Sequence, residues 1–197
     1  MSKRTLARRT AAWVAAALCA ALVAPLDAKE IFRGRMLTGR APIEPPYVDV
    51  QLEIESWTTP EEIRQLNDVL AQTGIDAFLA AFSAAKKGVV RFLYARGYNM
   101  EIHMAQVLPT EKGKKVVVFL NRQAWSQGSY LVRGHNYFMV IELDLNEKGR
   151  GEGRFYEDAQ IQLDPNLGKI QMGNYDSAPK VLVQVQEVVQ KEKPPKK

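Results

Sequence analysis

Residues 98–121 read YNMEIHMAQVLPTEKGKKVVVFLN, and the fold turns on how this stretch divides. Two strand-like runs, 98–108 and 114–121, flank Pro109-Thr110-Glu111-Lys112-Gly113, whose proline and glycine mark a turn. The second run holds Val116-Val117-Val118-Phe119-Leu120 with no polar interruption, the composition of a strand covered on both faces. A short turn leaves two such strands antiparallel and adjacent. Counting back from it sets Phe119 opposite His103 and Asn121 opposite Glu101, a pairing that a one-residue slip would reverse.

The same signals repeat toward the C-terminus. Residues 137–145 alternate, with Tyr137, Met139, Ile141, Leu143 and Leu145 on one face, before the turn Asn146-Glu147-Lys148-Gly149. Residues 155–163 return with Phe155, Ala159, Ile161 and Leu163 aligned, and 170–175 and 180–189 supply two further strands. Toward the N-terminus, 89–94 is strand-like, and 47–57 alternates Val48, Val50, Leu52 and Ile54 against Asp49, Gln51, Glu53 and Glu55. Between these two lie helices. Thr59-Pro60-Glu61-Glu62 is a capping box with proline at the first helical position, Ile63, Leu66, Val69 and Leu70 form a stripe, and Gly74 ends it. A second helix from about residue 76 to 86 places Ile75, Phe78, Leu79 and Phe82 on one side. The expected fold is α+β: about eight mainly antiparallel strands in a curved sheet, sandwich or partial barrel, with a two-helix insertion after the first long strand.

The remaining segments set the domain plan. Residues 1–28 carry Lys3, Arg4, Arg8 and Arg9, an apolar run over 11–24, and Pro25-Leu26-Asp27-Ala28, the three-part pattern of a secretory signal peptide cleaved after Ala28. Its fourteen apolar residues fall short of the roughly 20 needed to span a membrane. Residues 29–46 read as a linker or lead-in strand, 47–190 as a single domain, and 191–197 (KEKPPKK) as a disordered basic tail, with contact to anionic envelope polymers its sharper reading. Export implies a secreted or periplasmic location in a bacterium and no stable membrane span after cleavage.

The net charge of +5 invites a nucleic-acid reading, but its distribution does not support one. The leader takes four basic residues against Asp27, the tail four more against Glu192, and the body keeps nineteen basic against twenty acidic residues. Nucleic acid is therefore not an expected partner. The one cysteine, Cys19, lies in the leader, so thiol catalysis and thiolate metal sites are excluded from the mature chain.

No familiar catalytic motif is complete. Ser83-Ala84-Ala85-Lys86 and Ser177-Ala178-Pro179-Lys180 match S-x-x-K but lack S-D-N and K-T-G. The run from Asp144 begins like a calcium loop, yet Lys148 and Phe155 stand where oxygen ligands belong. No metal and no cofactor are expected. Glu101 and His103, two apart on one strand face, are candidates for an acid–base pair, with Arg122 a third catalytic candidate. The long connection 122–136 mixes aromatic and polar groups, and its Trp125, Tyr130, Arg133 and His135 are candidate ligand contacts. Arg33, Arg35 and Arg40 could clamp an anion, but a solvated arm is the favoured reading.

The stretches MEIHMAQVLPTEKGKKVVVFLNR, YFMVIELDLNEKGRGEG and MGNYDSAPKVLVQV, with WTTPEE before the helices, resemble a family of uncharacterised exported bacterial proteins over about residues 48–185. The resemblance implies export and a common fold, and carries no activity. The expected function is an exported non-catalytic domain that binds a small or apolar ligand, or an envelope component, through the concave face of the sheet and the 122–136 loop. The alternatives are a hydrolase of envelope or extracellular material using Glu101, His103 and Arg122, and an assembly module pairing through a sheet edge.

Overall fold

A computed structural model of the chain describes residues 29–38, 46–93, 98–122, 137–164, 166 and 169–188. The expected leader, the basic tail and most of the 122–136 connection lie outside these. The described elements run β1 (Glu30–Leu37), β2 (Tyr47–Ile54), α1 (Pro60–Thr73), α2 (Ile75–Ala84), β3 (Gly88–Phe92), β4 (Tyr98–Ile102), β5 (Met104–Thr110), β6 (Gly113–Asn121), β7 (Phe138–Asn146), β8 (Arg150–Asp164), β9 (Lys169–Tyr175) and β10 (Lys180–Val188). This is an α+β fold of ten antiparallel strands with two helices inserted after the long alternating strand β2. No described helix is long and apolar enough to cross a membrane.

The ladder order is β4-β3-β2-β1-β10-β8-β7-β6-β5, with β9 paired to the far half of β8. It is open, since no pairing joins β4 to β5. Laid flat, strands about 4.8 Å apart would set the two ends nearly 40 Å from each other. Ile102 and Met104 are nevertheless separated by His103 alone, so the sheet has to bend to bring its ends together.

Each face of the sheet has its own core. On the inner face Phe32, Leu52, Val90, Ile102, Val118, Ile141, Phe155 and Val185 belong to one cluster drawn from nearly every strand. On the outer face Ile63 and Leu66 of α1 and Phe78 and Phe82 of α2 cover Met104, Val117, Phe119, Phe138, Val140, Ala159 and Ile170. The run 116–120 is apolar throughout because Val116, Val118 and Leu120 point inward while Val117 and Phe119 lie under the helices. Fully burying each such side chain contributes about 1.5–3 kcal/mol. The Phe82 and Phe138 rings meet edge to face at 5.1 Å, which fixes α2 over β7.

Alternation is interrupted at three places that the sequence pattern hides. The expected strand 98–108 breaks at His103: Ile102 and Ala105 both face inward, so one extra residue is accommodated between β4 and β5. The register is accordingly one residue off expectation, with Met104 opposite Phe119 and Glu101 opposite Val89 rather than Asn121. In β8 the register shifts between Tyr156 and Ala159, so Phe155 faces inward while Ala159, Ile161 and Leu163 face the helices instead of sharing its side. The third interruption is in β10. The lead-in segment is also more than a linker, because β1 is a central strand held between β2 and β10. Ile75, expected in the apolar stripe of α2, is 42% exposed at its first residue.

Candidate functional site

The seam where β4 passes into β5 lies under the two helices, and a cleft of about 390 Å³ opens there. Its walls are Leu66 and Val69 of α1, Ala81 and Ala84 of α2, and Met104 of β5; Glu62, Lys87 and His103 supply polar atoms. Local sequence explains the placement of each polar group. Thr59 caps α1 by accepting from the Glu62 N–H at 3.2 Å, while the Glu62 carboxylate accepts from the Thr59 N–H at 2.8 Å. That reciprocal bond uses one carboxylate oxygen. The other accepts from Lys87 Nζ at 2.6 Å.

Lys87 is 9% exposed and its backbone is fixed on both sides, donating to the Ile102 carbonyl and accepting from the Glu55 N–H, each at 2.8 Å. Gly88 follows it with φ +150, and a Cβ there would fall 2.0 Å from the Glu53 carbonyl oxygen, so only glycine lets β3 approach β2 this closely. Burial pushes the Glu62 carboxyl up, but the hydrogen bonds from Lys87 and the Thr59 N–H outweigh it and leave Glu62 below the ordinary carboxylate value. Glu62 is thus held as a carboxylate and offsets the charge of the buried ammonium.

His103 is 5% exposed. Its N–H donates to the Phe119 carbonyl at 3.0 Å, and its Nδ1 lies 2.8 Å from the Ala85 carbonyl oxygen at the end of α2. A carbonyl only accepts, so Nδ1 donates in this contact. The Phe82 ring packs 5.1 Å from the imidazole. Continuing the Gly88–Ile102 pairing by one step sets Lys87 opposite His103, and both line the cleft.

The other sequence candidates stand elsewhere. Glu101 is exposed and pairs with Lys86 at 3.2 Å. Arg122, at the end of β6, lies 2.7 Å from Asp158 of β8, both side chains about nine-tenths buried. Among the described residues, the second carboxylate oxygen of Asp158 has no hydrogen-bond partner. Trp125, Tyr130, Arg133 and His135 lie outside the described residues. Of the S-x-x-K pairs, Ser83 accepts from Asn121 at 2.5 Å, and Lys180 is paired with Glu157 at 2.7 Å. Among the described residues no three His, Cys, Asp or Glu side chains gather as metal ligands do.

Comparison with protein-family models, curated proteins and solved structures finds no match. The chemistry of the cleft therefore carries the functional reading. Sequence reasoning named His103, but it took Glu62 only as a cap and passed over Lys87. Nothing local marks Lys87, since Lys86 beside it is the same residue type and is exposed. The inner face of the sheet, expected to hold a ligand, is instead filled by the Phe32 to Phe155 core.

Proposed function

We propose that the protein is an exported bacterial binding domain that holds a small, mainly apolar molecule in the cleft between α1, α2 and β5. One observation carries the reading: a hollow of ligand size has walls of Leu66, Val69, Ala81 and Met104, and beside them a buried ammonium with a carboxylate partner and a buried imidazole. Such a site orients a molecule by one polar group and binds it by its apolar body. Export rests on the leader-like pattern of residues 1–28 and on the resemblance of 48–185 to exported bacterial proteins. Binding is favoured over hydrolysis because Glu101, His103 and Arg122 each have a different partner: Lys86, the Ala85 carbonyl and Asp158.

The test is titration with the apolar dye N-phenyl-1-naphthylamine, alongside native mass spectrometry of protein recovered from the bacterial envelope. We expect saturable one-to-one dye binding, and at least tenfold weaker binding in Ala81→Trp, which fills the cleft. Circular dichroism and the melting temperature establish that this variant is folded, and Met104→Phe serves as a second filling variant. Absence of saturable binding, or unchanged affinity in folded filled variants, overturns the proposal.

A further inference from the structure

The half of the sheet that the helices leave bare carries a second, unrelated feature. On β10 the ladders to both neighbours slip at one point: Arg33 pairs with Gln186 and Arg35 with Val183 on one side, while Gly151 pairs with Val185 and Gly153 with Leu182 on the other. The extra residue is Gln184, whose φ of +54 makes it the sole non-glycine with positive φ among the described residues. It lies between Leu182 and Val185, both buried inward, and is itself exposed. Gly34 of β1 accommodates this bulge, because a Cβ there would come 2.9 Å from Val185 Cγ2. Glycine would adopt the Gln184 backbone without strain, so a long amide side chain at this position is not explained by the bulge alone.

What that amide joins is an open hollow of about 670 Å³ lined by Arg33, Arg35, Asp49, Gln51, Gln184 and Gln186. Arg35 lies 3.4 Å from Asp49 and over the Tyr47 ring at 4.6 Å. Arg33 donates from Nε to Gln51, a neutral partner, and the Gln51 amide donates onward to Glu53 at 2.7 Å. Glu53 is already held by Lys29 at 2.6 Å and Arg91 at 2.8 Å. Across this linked set, Lys29, Arg33, Arg35 and Arg91 face Asp49, Glu53 and, at Arg91, Glu55, an excess of one positive charge. The lining therefore offers guanidinium charge from β1 and two primary amides, Gln184 and Gln186, on the β10 side, suited to a ligand with carboxylates and hydroxyls.

We propose that this hollow binds an acidic oligosaccharide, a carboxylate resting on Arg33 and sugar hydroxyls on Gln184 and Gln186. Neighbouring outward positions on a strand are about 6.6 Å apart, so Arg33 and Arg35 present charges at a spacing a chain of acidic sugars can follow. The proposal does not depend on the cleft under the helices.

Isothermal titration with galacturonate hexamer tests it, using maltohexaose as the neutral sugar and tripolyphosphate as the anion without hydroxyls. Expected are saturable binding of the hexamer that weakens as salt rises from 20 to 150 mM, at least tenfold weaker binding of both controls, and at least tenfold loss in Arg33→Gln. The deciding variant is Gln184→Gly, which keeps the bulge: its melting temperature should be no lower than that of the parent while hexamer affinity falls at least fivefold. Full affinity in Gln184→Gly, full affinity in Arg33→Gln, tripolyphosphate binding as tightly as the hexamer, or no saturable binding would each overturn the proposal.

Discussion

Glu53 shows how far a single residue departs from its appearance in the sequence. It belongs to a row, Asp49, Gln51, Glu53 and Glu55, that reads as one strand face meeting water. In the structure its side chain is largely buried, and the hydrogen bond from the Arg91 guanidinium, acting against the cost of burial and aided by Lys29 and Gln51, lowers its carboxyl from 4.5 to about 2. A folded-state value below the unfolded one means that the proton is bound more weakly in the native state. The stabilisation is therefore complete above about pH 4.5 and disappears as the pH falls toward 2. Urea midpoints should fall across that interval in the parent and stay nearly level in Glu53→Gln, which at pH 7 should be less stable by about 1–3 kcal/mol. Equal pH profiles for the two proteins would show that Glu53 does not carry this dependence. Asp158 was as hard to read, since it stands beside Glu157 in a strand rich in polar residues, and only the Arg122 contact marks it as the buried one.

At the level of elements, α1 is the one most directly written in the chain. Thr59, Pro60 and Glu62 act through neighbours three residues apart, so the capping box is visible without tertiary context, and both of its hydrogen bonds are present. Thr59→Ala should cost about 1 kcal/mol, read as a lower melting temperature. It also removes the hydroxyl that accepts from the Glu62 backbone N–H, so the helix start that carries Glu62 frays, Lys87 is held less firmly and dye binding in the cleft should weaken. Unaltered binding with the stability loss intact would separate the cap from the cleft. The strands were legible as strands and illegible as surfaces. A period of two says which residues share a face only until an extra residue enters, and His103, the 156–159 segment of β8 and Gln184 each insert one with no distinctive residue type to announce it. Phe155 and Ala159, four apart and nominally on one side, fall in different cores for this reason. The cleft was unreadable for the same cause: Lys87, Glu62 and His103 are far apart in sequence and are gathered by β3, α1 and the seam together.

The whole molecule is two stacked layers over one half and a bare, charged sheet over the other. Strands β6 and β7 are covered on both faces, whereas β9 borders the sheet and much of it is exposed. Native-state hydrogen exchange should accordingly find the slowest amides in β6 and β7, opening only with global unfolding, and much faster exchange in β9. Comparable protection in β9 and β6 would contradict this layering. The position of β1 was the main feature of scale hidden from sequence, because its partners are β2 nearby and β10 at the opposite end of the chain. Read locally, Arg33-Gly34-Arg35 resembles a solvated arm, and what makes it a central strand lies some 150 residues away.

That pairing of the earliest strand with the latest has a consequence for how the protein is made. Of the described strands, synthesis delivers β1 first and β10 last, and in the sheet they lie side by side. While the ribosome works through the intervening residues, β2 satisfies one side of β1 and the other side offers unmatched amides and carbonyls to whatever strand comes near. A nascent chain of this design keeps that side of β1 exposed to wrong partners until the nine-residue strand β10 is made, and β10 is what ends the exposure.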